Sequence, residues 1–192
     1  NERNIKLWST IGPRASLGLG MLEIIKENKN LMVITSDVST SAGLDRFRKQ
    51  FPENYLDLGI AEQNMIGVAT GLASEGFNVI TTTFAPFQTM RCLEQIKVNL
   101  GYMKQKICMV GIASGLALGT LGYTHCCIED LGVLEGSIQD PRCFTHKIST
   151  QTRRNSQKHS LLPSKRISMF TTLEQDDQFW SRVCPYSFIL RC

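Results

Sequence analysis

The sequence predicts an α/β fold with a mostly parallel sheet, on three observations. Leu31-Met32-Val33-Ile34-Thr35 and Ile107 to Ile112 are short, nearly continuous apolar runs, the pattern of strands buried on both faces. Segments of helical period alternate with such runs, which implies βαβ units. Third, Tyr55 to Gly76 reads as a short strand, a glycine bend at Gly59, and a helix opened by the carboxylate of Glu62. A carboxylate in the first turn of a helix, at the C-terminal edge of a strand, sits where open α/β sheets bind ligands.

Taken in order, Ala15 to Glu27 is predicted helical, with Leu17, Met21, Leu22 and Ile25 on one face. Strand Leu31–Thr35 ends in the polar loop Ser36 to Ser41, rich in helix-capping residue types. Gly43 to Phe51 reads as a short helix and Tyr55 to Leu58 as the next strand. From Ala61 the apolar positions Met65, Val68, Ala69, Leu72 and Ala73 recur at helical spacing. Gly67, Ala69, Gly71 and Ala73 keep that helix thin enough for another backbone to approach. Asn78 to Thr83 is β-branched and strand-like. A long helix is expected over Phe87 to Leu100, anchored by Met90, Leu93, Ile96 and Val98, before the strand at Ile107–Ile112. A glycine-rich stretch, Gly111 to Gly122, then leads to Thr124-His125.

Composition narrows the function classes. The chain has 192 residues and is 42% hydrophobic, enough for one packed domain with a tail. No apolar run approaches the ~20 residues of a membrane span, so no membrane role is expected. Asn1 to Trp8 lacks a signal-peptide pattern, and the seven cysteines lack paired spacing; reduced thiols and a cytoplasmic location are expected. Residues 1–134 carry twelve basic and twelve acidic side chains, while 135–192 carry nine and five. The net charge of +4 therefore belongs to the tail, and the body gives no sign of nucleic-acid binding.

Asp57-Leu58-Gly59-Ile60-Ala61-Glu62-Gln63 resembles the signature of the pyrimidine-binding domain of transketolases and related thiamine-diphosphate enzymes. The resemblance covers about residues 8 to 134. It implies a thiamine-diphosphate-binding fold, in which Glu62 hydrogen-bonds the aminopyrimidine ring of the cofactor. Phe84 and Phe87 match the aromatics around that ring, where a ring-on-ring contact adds about 1 kcal/mol beyond burial. Met90 stands where the family often has another aromatic and would make a softer contact. Tyr123-Thr124-His125 resembles the Thr-His element whose histidine faces the substrate. Leu121 departs from the acidic residue that many members carry four positions earlier, which leaves the sugar open. Arg14 matches a phosphate-holding arginine, with Ser39 and Ser41 placed to assist; a guanidinium donates bidentately to phosphate.

Cys126 and Cys127 beside His125 do not read as a zinc site, because no second Cys/His pair has ligand spacing. Nor is there a Gly-Asp-Gly, the family's motif for holding Mg²⁺ and the diphosphate. The resemblance thus implies the second half of a split transketolase that moves a two-carbon ketol unit between sugar phosphates. Catalysis would rest on Glu62 and His125. Thiamine diphosphate and Mg²⁺ would be completed by a diphosphate-domain partner, in a homo- or hetero-oligomer. Related alternatives are a 1-deoxyxylulose-5-phosphate synthase-like subunit, a 2-oxo acid dehydrogenase β-like subunit, and a non-catalytic truncated fragment. Domain boundaries are expected at 1–134 and 135–192. Beyond Glu135 neither helical period nor alternation persists. That stretch reads as an atypical basic tail, disordered or out of frame, with a lineage-specific tail as the alternative.

Overall fold

The computed structural model describes residues 11–137, 167–172 and 188–190. Its element order is helix α1 (Pro13–Glu27), strand β1 (Leu31–Thr35), helix α2 (Asp45–Gln50), strand β2 (Tyr55–Asp57) and helix α3 (Glu62–Ser74). Strand β3 (Asn78–Phe84), short helices α4 (Ala85–Gln88) and α5 (Leu93–Gln95), strand β4 (Cys108–Ser114) and helix α6 (Asp130–Ser137) follow. Backbone strands β5 (Ile167–Thr172) and β6 (Phe188–Leu190) complete the set. The sheet order is β2-β1-β3-β4-β5-β6.

The first four strands run parallel, with Val33 beside Tyr55, Val33 beside Ile80, and Ile80 beside Cys108. All four therefore point their carboxyl ends to one edge. Chain order reverses between β1 and β3, the switch point at which such sheets open a crevice. Strand β5 joins antiparallel to β4, and β6 parallel to β5. The stretch that lacks periodicity in the sequence thus contributes two strands, and the rest of the expected tail lies outside the described residues.

Both faces of the parallel sheet are buried, which is why its strands read as apolar runs. Alternation along each strand divides them. Leu31, Val33, Ile80, Cys108 and Val110 pack with Leu17, Met21 and Ile25 of α1 and Phe47 of α2. Ile34, Val79 and Met109 pack on the other side with Met65, Ile66 and Ala69 of α3 and with Ile96 and Leu100. Helix α1 approaches the loop before α2 closely: a Cβ on Gly18 would lie 2.1 Å from the Gly43 carbonyl oxygen. Gly43 also has a φ of +74°, a conformation that side chains rarely tolerate.

The long helix expected over Phe87–Leu100 is corrected by the structure. α4 stops at Gln88, a turn follows, α5 lasts three residues, and Ile96–Tyr102 winds as a π-helix. Pro86 lies in the first turn of α4, where proline starts a helix well. The break comes at Thr89, with φ −102° and ψ −79° and its hydroxyl bonded back to the Ala85 carbonyl at 2.8 Å. Two of the four expected anchors, Met90 and Val98, consequently face solvent, at 37% and 44% exposure.

Candidate functional site

The segments leaving β1, β2, β3 and β4 at the carboxyl edge carry the residues picked out by sequence, except Arg14, which lies in the first turn of α1. Gly59, with φ +67°, turns the chain out of β2, and its N–H donates to Asp57 Oδ1 at 3.0 Å. Asp57 Oδ1 also accepts the Asp37 N–H at 2.9 Å, which ties the β1 loop to the β2 loop. Burial alone would raise the Asp57 carboxyl. These two N–H groups, with the Thr35 and Tyr55 hydroxyls, outweigh it and hold the group below its ordinary value.

Glu62 opens α3 and is only 4% exposed, an unusual place for a carboxylate without a partner. The helix N-terminus favours its charge, and Arg91 Nη1 donates to its Oε1 at 2.8 Å. The Arg91 guanidinium lies 4.0 Å above the centre of the Phe87 ring, a cation–π contact. Phe87 in turn meets Phe84 edge-on at 6.2 Å and His125 at 5.3 Å, while Phe84 and His125 stand 6.0 Å apart. A buried carboxylate and three half-buried rings are thus joined through one guanidinium. The flat Arg91 cation thus covers the Phe87 face and reaches Glu62 at once.

His125 is delivered by a loop pinned at its base. Gly115 and Cys127 exchange both backbone hydrogen bonds, at 2.7 and 2.8 Å. The Cys127 thiol is buried against the Thr89 hydroxyl at 3.7 Å. Thr124 Oγ1 lies 3.0 Å from His125 Nδ1. Cys127 therefore serves as an anchor for the loop. Among the described residues no group of three or more His, Cys, Asp or Glu gathers as a metal site. Burial pushes the Cys127 thiol up to about 11, and burial followed by the charge of Glu62 pushes Cys92 to about 12.

The other candidates are placed more loosely. Arg14 Nε donates to the Ser41 carbonyl, so these two residues meet through backbone. Ser39 is buried and its hydroxyl donates to Asp45 Oδ1 at 3.0 Å, building the turn into α2. Met90 stands exposed on the turn after α4. Leu121 and Tyr123 are exposed on the glycine-rich loop, at 57% and 88%. Arg91 is the residue that sequence reasoning missed. Sequence offered no signal for it, because Arg91 lies on the turn after α4 and reaches Phe87 only through that turn.

The fold is a doubly wound α/β domain with a buried carboxylate and a ring cluster at its carboxyl edge. Residues 9–139 match the family model for the transketolase pyrimidine-binding domain, and the chain belongs to that family. It is 36% identical over 124 residues to one of the subunits of the apulose-4-phosphate transketolase of Phocaeicola vulgatus, a match covering 65% of this chain and 40% of that protein. A 36% identity over 123 residues to a transketolase C-terminal section of Methanocaldococcus jannaschii covers 64% of this chain and 39% of that one. The matched stretch thus spans about 40% of the length of these relatives. Among solved structures, a split-gene transketolase described as an inactive β4 tetramer superposes with a TM-score of 0.60 at 31% identity, covering 71% of this chain and 42% of that one. Transketolase of Campylobacter jejuni shares the fold with a TM-score of 0.63 at 20% identity, covering 77% and 23%.

Proposed function

We propose that this chain is the pyrimidine-binding half of a thiamine-diphosphate-dependent transketolase that passes a two-carbon ketol unit between sugar phosphates. The observation that carries the reading is the buried Glu62 carboxylate beside the Phe84–Phe87–His125 rings. Bound there, the cofactor would supply the electron sink for carbon–carbon bond cleavage and formation. Glu62 would hold the proton shared with a pyrimidine nitrogen, and Phe84 and Phe87 would flank the ring. His125, with Nδ1 engaged by Thr124, would offer Nε2 to an oxygen of the substrate. Arg14 would hold the sugar phosphate, with Ser41 orienting its guanidinium.

The remaining determinants, Mg²⁺ and the diphosphate site, fall to a diphosphate-domain partner, and the complex works in the cytoplasm. Two relatives named as one subunit or one section of a transketolase support a split enzyme. The neighbour described as an inactive β4 tetramer supports the view that this half does not act alone. A 1-deoxyxylulose-5-phosphate synthase-like activity is a second reading. It is favoured by 27% identity over 186 residues to that enzyme of Clostridium kluyveri, which covers 93% of this chain. Donor choice separates the two: a ketose phosphate for the first, pyruvate for the second. In a complex with a diphosphate-domain partner, Glu62→Gln is expected to cut turnover by about a hundredfold or more with the far-ultraviolet circular dichroism spectrum unchanged. Near-normal turnover would refute the role given to Glu62.

A further inference from the structure

The Arg91 side chain makes two contacts that a flat heteroaromatic ligand would also make. Its guanidinium covers the Phe87 face at 4.0 Å and donates to Glu62 Oε1 at 2.8 Å. We propose that this guanidinium is a resident stand-in for the aminopyrimidine ring, holding the Phe87 face and Glu62 until the cofactor displaces it. The inference rests on the reading of this cleft as a pyrimidine site.

The placement of Arg91 suits a displaceable group. Its side chain is 42% exposed whereas that of Glu62 is 5% exposed, so the guanidinium lies on the solvent side of the carboxylate and has an outward path. Its backbone is fixed on the turn after α4: Arg91 N–H donates to the Pro86 carbonyl at 3.2 Å, and Gln63 Nε2 donates to the Arg91 carbonyl at 3.0 Å. Rotation of the side chain alone therefore opens the cleft.

The two occupants compete for the Phe87 face and make different demands on Glu62. A guanidinium has only donors, and it pairs with the ionised, accepting form of a carboxylate. A bare pyrimidine nitrogen is an acceptor and needs a carboxyl that donates. Glu62 cannot present the same oxygen to both. While Arg91 is in place the carboxylate is neutralised and shielded, which spares the chain a buried unpaired charge before the cofactor arrives. Displacement then reduces apparent cofactor affinity by the fraction of chains in which the cleft is open.

The test titrates hydroxymethyl-aminopyrimidine, the free ring half of the cofactor, at millimolar concentration into the full chain. Backbone amide shifts of Gly59–Asn64 and His125 report occupancy. Arg91→Met, which keeps an apolar stem and lacks donors, is expected to bind the ring about tenfold more tightly than the native chain. Arg91→Ala should show the same direction if the first variant fails to fold. Glu62→Gln should remove the shifts in either background. Equal or weaker binding by the Arg91 variants, with Glu62-dependent binding by the native chain, would overturn the stand-in and make Arg91 an aid to binding. An absence of Glu62-dependent shifts in every variant would sink the pyrimidine site itself.

Discussion

At the residue scale the chemistry turns on how one buried carboxylate is kept stable. Glu62 can be buried because the α3 N-terminus and Arg91 both favour its charge. The same carboxylate, after burial, is what keeps Cys92 protonated, since an anionic thiol beside it would add like charge in a desolvated place. The linkage has a clear sign: at pH 8 Cys92 stays a thiol, because its ionisation lies near 12. Iodoacetamide at pH 8 should therefore leave Cys92 and Cys127 unmodified in the folded chain, and peptide mass mapping should find both labelled after denaturation. Rapid labelling of Cys92 in the folded chain would contradict its burial against Glu62. Much of this site was legible as residue types in order: Glu62, Phe84, Phe87 and His125 could each be picked out. Arg91 could not, because its meaning depends on the turn at Thr89, and a single arginine in an apolar stretch carries no motif.

At the element scale the strands were the most readable part. Leu31–Thr35 has the predicted bounds, and Tyr55, Asn78 and the run near Ile107 begin strands within one residue of expectation. Burial on both faces leaves a strand little choice of residue, so its signal is strong. The stretch after β3 was less readable, for a physical reason. Apolar residues at helical spacing fit α, π and broken helices alike, and spacing alone does not show the break at Thr89. Small residues had two distinct uses. Gly67 and Gly71 on α3 face nothing within 4 Å, whereas Gly18 lies against the Gly43 backbone. Gly18→Ala should consequently cost about 2–4 kcal/mol, through the forced separation of α1 from the α2 loop. Gly67→Ala should stabilise the lone chain slightly, by up to about 1 kcal/mol, from helix propensity. Urea denaturation midpoints of the two variants test this. A similar midpoint for both would show that the α1 contact is dispensable.

At the scale of the whole molecule the parallel sheet gathers four loops at one edge and leaves that edge open. Ile60, Leu116, Leu121, Tyr123 and Ile128 are all strongly exposed on the loops there, which is costly for an edge meant to face water. An open, apolar mouth around a buried carboxylate fits a half-site completed by another polypeptide, as the split-enzyme reading requires. In the sequence, the expectation of a partner rested on the resemblance together with the absence of a Gly-Asp-Gly within these residues. The sugar was not legible, because the position expected to read its hydroxyls is Leu121, exposed on a loop without a polar group to offer. The most direct measurement is a calorimetric titration of micromolar thiamine diphosphate with Mg²⁺ into this chain mixed with a diphosphate-domain partner. Saturable binding in the mixture, absent from either chain alone at that concentration and weakened by Glu62→Ala, is the predicted result. A folded mixture that binds no cofactor, or binding indifferent to Glu62, would contradict the split site.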